Sequence, residues 1–346
     1  MNSASRVGRL GLTMVVPLVI ALAPLGGLQT ERASASSVNG VVVAWGGDYG
    51  GVTDVPAGLS GATAISAGDN LSLALRNDGT VVAWGDNTVG ATSVPAGLSG
   101  VTAVSAGGSF GLALKGDGTV VAWGSHFEGN TDVPAGLSNV IAISAGGGHS
   151  LALRRDGTVV EWGDESAVPA GLSGVTAISA GVAHSLALKS DGTVVSWGPN
   201  IHGESTVPAG LSGVIAISAG YSFSLALKSD GTVVAWGDGT GGKTSVPAGL
   251  SGVTAISAGD QHCLALKSDG TVVAWGDGTS GQTTIPAGLS GVTAIAGGGG
   301  FSMALVGSGA SGSGFPWAIV GAGVVLLALL LVIGVPFFLR ARRQKA

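Results

Sequence analysis

Three shortages in this sequence each exclude a class of protein. Cys263 is the only cysteine among 346 residues, so neither an intramolecular disulfide nor a cysteine-based metal cluster can form. Charged residues are 10% of the chain against 45% hydrophobic residues, which excludes an intrinsically disordered chain. The formal net charge of −5 argues against a nucleic-acid partner.

Glycine, in contrast, is abundant. The 64 glycines follow no three-residue period, which excludes collagen. Because a glycine inside a helix costs about 1 kcal/mol, an ordinary helical domain is also disfavoured. Glycine mixed with valine, threonine and tryptophan predicts an all-β fold of short strands joined by tight turns.

The two ends of the chain differ from the middle. Residues 1–37 resemble a secretory signal peptide, with basic residues at the start, an apolar run over 10–25 and a cleavage site near Ala35. An uncleaved anchor is the alternative, which the short run and its two prolines disfavour.

Near the other end, residues 316–339 are uncharged and long enough to cross a bilayer as one helix. The tail at 340–346 is basic, which favours the cytoplasmic side. A glycine- and serine-rich linker at 307–315 precedes the helix. We therefore predict a single-pass type I protein of the plasma membrane, with residues 38–306 on the cell surface.

Residues 38–306 consist of repeats. The Trp-Gly pairs are spaced 39 residues apart except for one interval of 35, and they begin at Trp45, Trp84, Trp123, Trp162, Trp197, Trp236 and Trp275. A period near 40 residues with several strands per unit is typical of a β-propeller or a solenoid. Seven units predict a seven-bladed propeller, with tryptophan at one framework position of each blade.

One unit illustrates the predicted blade. Strands are predicted at 175–180, 185–189 and 193–197, followed by a short fourth strand at 206–208 on the outer edge, where proline is tolerated. The last unit, 292–305, has no third strand, whereas 41–45 is a third strand with no strands before it. We therefore expect the N-terminal strand to complete the seventh blade and close the ring.

These units, such as Gly192–Gly198 and Ala183–Lys189, resemble the repeats of the regulator-of-chromosome-condensation propeller family. The short period and the V-P-A-G motif most resemble its secreted bacterial branch, which includes a propeller-type β-lactamase inhibitory protein. The resemblance spans 38–306 and implies the fold more specifically than it implies any activity.

The predicted turns divide between two faces. What we call the variable face carries the A-G-x-x turns and the W-G loops, and the repeated face carries the S-D-G and L-S-G turns. All phenylalanines, tyrosines and histidines of the repeats fall on the variable face, together with many acids and one base, Lys243. The candidate binding residues are Tyr49, Phe110, His126, Phe127, Glu128, His202, Tyr221, Phe223, Asp260 and Phe301, of which we expect Phe110, Tyr221 and Phe223 to be partly exposed.

One aromatic position has a second interpretation. The residues two places before L-A-L are Leu71, Phe110, His149, His184, Phe223, His262 and Phe301. Because leucine and phenylalanine cannot bind a metal, this position is interpreted as a packing site at the inner rim. His126 and His202, each two residues before a glutamate, suggest a divalent ion, but such acids are ordinarily only solvated. No metal or cofactor is predicted.

No enzymatic motif is present in the sequence, and the repeated Asp-Gly-Thr is turn chemistry, so we predict that the protein is not an enzyme. Glu161 stands where other units have alanine or serine, beside the shortened loop, and is expected to be an exposed strand residue. Cys263 is expected to be a small packed thiol.

The predicted function is recognition of a protein, or of another macromolecule of the cell envelope, through the variable face. Inhibition of a β-lactamase or a penicillin-binding enzyme is an alternative implied by the resemblance, although the loops here lack tryptophan. A glycan-binding propeller is a further alternative. Guanine-nucleotide exchange, the activity of the nuclear family members, is disfavoured because the domain is predicted to lie outside the cytoplasm.

Overall fold

The computed structural model describes residues 40–164 and 167–307. The chain divides into two units, Met1–Ser37 and Val38–Ala346, and every described residue belongs to the second. Within the described ranges, no helix is long and apolar enough to span a membrane. The predicted signal peptide, membrane helix and basic tail lie outside the described residues.

Seven antiparallel three-stranded sheets form the blades of a propeller. The inner strands are β2 (Ala62–Ala67), β5 (Val101–Ala106), β8 (Val140–Ala145), β11 (Val175–Ala180), β14 (Val214–Ala219), β17 (Val253–Ala258) and β20 (Val292–Gly297). The middle strands are β3 (Leu71–Arg76), β6 (Phe110–Lys115), β9 (His149–Arg154), β12 (Ser185–Lys189), β15 (Phe223–Lys228), β18 (His262–Lys267) and β21 (Phe301–Val306). The outer strands are β4 (Val81–Gly85), β7 (Val120–Gly124), β10 (Val159–Gly163), β13 (Val194–Trp197), β16 (Val233–Gly237), β19 (Val272–Gly276) and β1 (Val41–Gly46). We number the blades 1 to 7 in this order, so that blade 7 is β20–β21–β1.

The ring closes as the sequence predicts. Strand β1 pairs antiparallel with β21, from Val41 opposite Val306 to Gly46 opposite Phe301. Blade 7 therefore joins the two ends of the repeat region through a main-chain ladder. This pairing leaves neither fragment with an open edge toward the other.

The predicted fourth strand is wrong. Among the described residues, the V-P-A-G-L segments belong to no sheet. They form turns instead, in which the leucine N–H donates to the proline carbonyl, as from Leu59 to Pro56 at 3.1 Å. Proline supplies no N–H for a ladder, and the glycine of the motif takes a positive φ, for example 81° at Gly58. Both features favour the turn over an added strand.

The hydrophobic core lies between neighbouring blades. Trp84 of blade 1 packs against Met303 and Leu305 of blade 7, and the other tryptophans pack against their preceding blades in the same way. The indole of Trp84 also donates to the carbonyl of Val52, at 2.9 Å, in the loop leaving blade 7. Each framework tryptophan thus fixes one blade to the one before it.

The inner strands line a narrow central opening. Serine hydroxyls accept main-chain N–H groups of the next blade, as Ser66 Oγ does from Ala106 at 2.9 Å. Blade 7 has Ala296 at this position, so this bond is absent where blade 7 meets blade 1. The glycines after the inner strands allow the blades to approach, since a Cβ at Gly68 would collide with the carbonyl of Gly107.

The two faces are arranged as predicted. On the variable face, W-G loops bond to A-G-x-x turns, as Asp86 N does to the carbonyl of Asn70 at 3.0 Å. On the repeated face, the Asp-Gly turns bond to the L-S-G turns, as Asn77 N does to the carbonyl of Gly61 at 2.8 Å.

Candidate functional site

The variable face exposes large apolar side chains at the tips of its loops. Tyr49, Phe127 and Ile201 each lie four residues after a framework tryptophan, and their exposed fractions are 59%, 59% and 82%. Val89, one position further along its own loop, and Tyr221, in the A-G-x-x turn of blade 5, are 49% and 45% exposed. Isolated exposed apolar residues are common, but five on the loops of one face form a candidate contact surface.

Three polar candidates of this face are also exposed, whereas Asp260 is partly buried. His126, Glu128 and His202 all lie in the W-G loops with their side chains toward solvent. His126 Nδ1 is 2.8 Å from Thr131 Oγ1, and its Nε2 is 3.6 Å from an Asp132 oxygen. In the described part of the chain, no three His, Cys, Asp or Glu side chains lie close enough together to hold a metal ion.

Three of the candidate aromatics are not accessible. Phe110, Phe223 and Phe301 have no exposed surface, so the expectation that Phe110 and Phe223 are partly exposed is wrong. Their rings pack over the glycine of the preceding turn, and a Cβ at Gly107 would collide with Phe110 Cε1. These residues begin the middle strands, so their side chains point into the junction with the next blade.

The packing interpretation of the same position is confirmed. All seven residues are between 0% and 1% exposed, namely Leu71, Phe110, His149, His184, Phe223, His262 and Phe301. The histidines bond across the junction, with His184 Nε2 at 2.8 Å from Ser224 Oγ. Since that hydroxyl donates to the carbonyl of Glu204 at 3.0 Å, His184 Nε2 must carry the proton that it donates to the serine.

Burial keeps the three histidines neutral. It lowers the pKa of His149, His184 and His262 from the ordinary 6.5 to about 4. His149 Nδ1 and His262 Nδ1 are buried with no hydrogen-bond partner among the described residues. The bond that each histidine Nε2 makes to a serine of the next blade gives these side chains a structural role at the junction.

The one lysine of the variable face is also buried. Lys243 has no exposed surface, and its ammonium lies 2.8 Å from Asp238 Oδ2 and 2.6 Å from Gln261 Oε1. It also lies 5.8 Å above the Phe223 ring. The lysine lowers the pKa of Asp238 well below its usual range. Its charge is therefore neutralised inside the protein, and the accessible part of this face is acidic.

Glu161 is buried, and the expectation of an exposed residue is wrong. In six junctions the framework indole donates to a main-chain carbonyl of the preceding W-G loop. The loop after Trp162 is four residues shorter. There the side chain of Glu161, which is 4% exposed, accepts from Trp197 Nε1 at 2.9 Å and from Ser185 Oγ at 3.4 Å. The carboxylate replaces the lost carbonyl.

This replacement has a signal in the sequence. The only charged residue at the position before a framework tryptophan occurs in the unit with the shortened loop.

Cys263 is buried as expected and donates its thiol to the carbonyl of Lys243 at 3.2 Å, and burial raises its pKa.

Two carboxylates lie at the central opening of the variable face. Asp69 of blade 1 and Asp260 of blade 6 are the only ionisable residues in its lining, whose other members include alanines, glycines and Val182. Burial, and then the charge of Asp69, raise the pKa of Asp260 to about 7. The opening has a free volume of about 30 Å³, which holds water but not an organic ligand.

The repeated face differs from the variable face in charge and in shape. In blade 3 its turns border a cavity of about 530 Å³, which is lined by Ser138, Asn139, Arg154, Arg155 and Asp156. In the Asp-Gly turns of blades 2, 4, 5 and 6, a lysine pairs with the aspartate two residues later, as Lys189 Nζ does with Asp191 Oδ2 at 3.2 Å. Bonds from Thr193, followed by one from Lys189, lower the pKa of Asp191 to about 2. The exposed apolar residues Val41, Ile141 and Ile215 stand at strand beginnings on this side, not at loop tips.

The repeats match a known family. The model of the regulator of chromosome condensation (RCC1) repeat matches residues 62–91, 101–130, 140–167, 175–204, 214–242 and 253–282. The first of these matches runs from the inner strand of blade 1 to Ala91, whose carbonyl accepts the indole of Trp123 in blade 2. Blade 7, which is split between the two ends of the repeat region, lies outside the matched residues. No curated protein sequence matches the chain significantly.

Solved structures share the fold. Prp20p from Saccharomyces cerevisiae, described with its binding properties to Gsp1p and histones, is 18% identical with a TM-score of 0.67. That comparison covers 79% of this chain and 93% of the yeast chain. The ectodomain of the Physcomitrella patens receptor kinase CR4 is 26% identical with a TM-score of 0.58, over 68% of this chain and 67% of that one. The ectodomain of the Arabidopsis thaliana receptor kinase ACR4 is 23% identical with a TM-score of 0.57, over 73% and 97%.

Proposed function

Because the chain belongs to the regulator of chromosome condensation repeat family, we propose that its propeller is a protein-binding module that uses the variable face. The observation that carries this proposal is the placement of the exposed apolar side chains. Repeats that are nearly identical in their strands present Tyr49, Phe127 and Ile201 at one loop position of one face. Large side chains on the loops of a rigid scaffold are the usual anchors of a protein interface.

The same proposal places the propeller outside the cell, anchored by the helix predicted at 316–339. The signal-like start, the uncharged stretch and the basic tail support this topology. The two plant receptor kinases provide a precedent, since their propellers are ectodomains. An extracytoplasmic position also disfavours guanine-nucleotide exchange. Yeast Prp20, which shares the fold, has protein partners, namely Gsp1p, histones and Kap60.

Binding is tested with the full chain, which is produced in membranes and extracted in detergent. The extracted chain is used to capture proteins of the cell envelope. A partner of this face should bind the Phe127→Ala and Ile201→Ala variants with an affinity lower by tenfold or more. The Lys189→Ala and Lys228→Ala variants of the repeated face are the matched controls and should bind normally. Equal loss from both faces, or loss only from the lysine variants, would contradict the proposal.

The same variants address the alternatives implied by the family resemblance. A purified class A β-lactamase and a penicillin-binding enzyme are the first candidate partners, and inhibition should follow the same ranking of variants. Retention of envelope glycan without any protein would favour the glycan-binding alternative.

Topology is tested on intact cells. Added protease should release a fragment close to the mass of the propeller, because the linker is accessible from outside. A propeller that stays protected while the basic tail is digested would contradict the proposed orientation.

A further inference from the structure

Both ends of the repeat region lie on the repeated face. Strand β21 starts at the A-G-x-x turn of blade 7 and ends at Val306, which stands opposite Val41, the first residue of β1. Gly307 N then donates to the carbonyl of Gly291, in an L-S-G turn of the repeated face, at 3.1 Å. The chain therefore enters and leaves the propeller on this face. In the sequence, the linker at 307–315 leads from this exit to the helix predicted at 316–339.

Blade 3 carries a cavity on the same face. Its volume of about 530 Å³ is in the range of small-ligand sites, and it is lined by Ser138, Asn139, Arg154, Arg155 and Asp156. Two of these residues are particular to blade 3. Asn139 stands where the other six units have glycine, and Arg155 stands where they have asparagine, glycine or serine. Both departures from the repeat therefore border one cavity.

The asparagine adds a polar group while the turn keeps its backbone. Asn139 has a φ of 57°, in the left-handed region that glycine adopts in the other units, with 67° at Gly100 as an example. Asparagine enters this region more readily than most other residues with a side chain. The exchange thus places an amide, which can donate two hydrogen bonds, at the cavity without altering the turn.

The two arginines are not neutralised by the protein. In the other five Asp-Gly turns that the structure describes, a nitrogen of the lysine or arginine lies 3.1–3.6 Å from an oxygen of the aspartate two residues later. Among the described residues, neither the Arg154 nor the Arg155 side chain forms a hydrogen bond or an ion pair. The Asp156 carboxylate accepts from Thr158 N and Oγ1, at 3.0 Å and 2.6 Å. Of the described turns, only this one has two cations to one anion, and both guanidinium groups are free to bind an oxyanion.

Apolar side chains are exposed at the same end of the blades. Ile141 lies two residues after Asn139, where the ladder between β8 and β9 skips a residue, and it is 37% exposed. Five other blades have threonine at this position, and its hydroxyl donates to a carbonyl of the middle strand, as from Thr102 to Leu114 at 3.2 Å. Blade 5 has Ile215, which is 48% exposed. The repeated face thus combines free arginines with apolar side chains.

Resting on the membrane anchoring of the proposed function, we propose that the blade-3 cavity binds the phosphate group of an anionic membrane lipid, with the repeated face against the bilayer. The exit of the chain favours this occupant, because a linker over 307–315 extends to at most about 30 Å and keeps this face near the membrane. The fork of a guanidinium group matches phosphate oxygens, and basic pockets near a membrane bind lipid head groups. The variable face then points away from the membrane.

The test uses the full chain in nanodiscs of phosphatidylcholine, with or without added phosphatidylglycerol. Hydrogen exchange of the amides at 154–157 is followed by mass spectrometry, so that lipid bound by the basic tail does not enter the signal. Phosphatidylglycerol should slow this exchange about tenfold when it is present at about ten times its dissociation constant. The equivalent amides of blades 4 and 5, at 189–192 and 228–231, should differ little between the two lipids.

Paired variants test the role of the arginines. Arg154→Gln combined with Arg155→Ser removes both guanidinium groups and gives blade 3 the serine of blades 4 to 6, and it should abolish the effect of phosphatidylglycerol. Lys189→Gln combined with Lys228→Gln removes the same charge from the same face and should preserve the effect. Thermal unfolding confirms that each variant is folded. A lipid effect that survives in the arginine variant, or that is lost equally in the lysine control, would overturn the site.

Two further probes distinguish the source of the anion. Inorganic phosphate and the acidic peptide acetyl-Ala-Glu-Ala-amide are each added to the chain in phosphatidylcholine nanodiscs. Neither should slow exchange at 154–157 as phosphatidylglycerol does, because neither is held beside the face by a bilayer. Protection by free phosphate or by the peptide that equals protection by the lipid would show that the cavity is not a lipid site.

The lipid site and the protein-binding face fail in different ways. If a partner depends on Phe127 and Ile201 but phosphatidylglycerol has no effect at 154–157, the protein-binding face stands and the lipid site is wrong. If the lipid effect is present but no protein partner depends on the loop tips, the lipid site stands and the proposed protein-binding function is wrong.

Discussion

At each junction between blades, a tryptophan indole donates to an acceptor in the preceding unit, and a residue of the middle strand is buried beside it. At the loop tips four residues after the same tryptophans, the residues are Tyr49, Thr88, Phe127, Ile201, Thr240 and Thr279. The junctions keep one hydrogen-bond pattern even where the chain changes. The tips do not share one pattern: Thr88, Thr240 and Thr279 each donate to the aspartate two residues before them. No aspartate stands two residues before Tyr49, Phe127 or Ile201. Within a single repeat, the residues that hold the blades together are therefore separate from the residues that vary at the surface.

The junction between blades 3 and 4 makes the contrast sharper. Deletion of four loop residues removed a carbonyl acceptor, and Glu161 supplies a carboxylate in its place. A junction tolerates a shorter loop only when the buried indole N–H still finds an acceptor, because an unsatisfied buried donor costs about 1–3 kcal/mol. No such compensation is needed at the tips, which face water.

The largest expected effect is on ring closure. Removing residues 38–46 deletes β1 and leaves blade 7 with two strands and an open edge against β21. We expect aggregation or a large fall in the midpoint of thermal unfolding, measured by circular dichroism on the full chain. Trp45→Ala should act in the same direction by about 3–5 kcal/mol. A truncated chain that melts like the intact one would show that closure does not stabilise the ring.

The next largest expected effect on stability comes from removing the Glu161 carboxylate, which takes the place of a main-chain carbonyl at the shortened loop. Glu161→Ala leaves the Trp197 indole and the Ser185 hydroxyl without their acceptor, and should cost about 2–4 kcal/mol in urea unfolding. As a matched control, Ala122→Glu places a carboxylate at a junction that already has its carbonyl, and should also destabilise. We expect both outcomes because each junction needs a single acceptor for its tryptophan indole N–H.

A rescue variant tests the same explanation. Replacing residues 163–167 by the nine residues of 124–132 restores a full-length loop. Combined with Glu161→Ala, it should recover most of the lost stability, because the transplanted asparagine carbonyl can accept from Trp197 as Asn130 does from Trp162. Failure of the rescue would mean that Glu161 does more than replace the carbonyl.

The buried histidines should make the junctions sensitive to acid. Their pKa is about 6.5 when unfolded and about 4 when folded, so the unfolded state binds more protons between these values. The stability contributed by neutral histidine is present above pH 6.5 and is lost as the pH falls through 4, by about 2 kcal/mol per histidine at pH 5.

Phenylalanine at the equivalent position of other blades provides the control. The variant His149→Phe, His184→Phe and His262→Phe should lose less stability between pH 7 and pH 5 than the parent chain. Asp260 changes stability in the opposite direction, since its raised pKa lowers stability as the pH rises from 4 through 7, but it is common to both chains. Equal acid sensitivity of the two chains would contradict this account.

The smallest expected effect on stability is at the tips. Phe127→Ala and Ile201→Ala should change the free energy of unfolding by no more than about 0.5 kcal/mol, because both side chains are mostly exposed. Their effect should appear in binding instead. A large loss of stability from either variant would show that the tips are part of the scaffold, and the contrast with the junctions would disappear.

Much of this organisation could be read from periodicity. The tryptophan spacing predicted seven blades, and the unmatched fragments at the two ends predicted closure of blade 7, because a closed ring requires the same pairing in each blade. The assignment of each turn to one of the two faces was also predictable, since antiparallel strands place alternate turns on opposite faces.

Burial within the repeat was less predictable. Tyr49 and Phe127 were placed correctly at exposed tips, but Phe110 and Phe223 were also placed on the surface, because their position in sequence is next to a turn. Only the close approach of the next blade shows that these rings point inward. The same holds for Lys243, whose partner Gln261 is 18 residues away.

The number of blades, the ring closure and the framework tryptophans follow from the amino-acid sequence, because these depend on spacing and on strand pairing within a repeat. Which side chains reach solvent, and which carboxylates lie near each other, depends on how the blades pack in the ring. Asp69 and Asp260 are 191 residues apart and interact only because the ring brings blades 6 and 1 to either side of blade 7. Glu161 likewise finds Trp197 across a junction, where burial, not sequence proximity, sets the need for an acceptor.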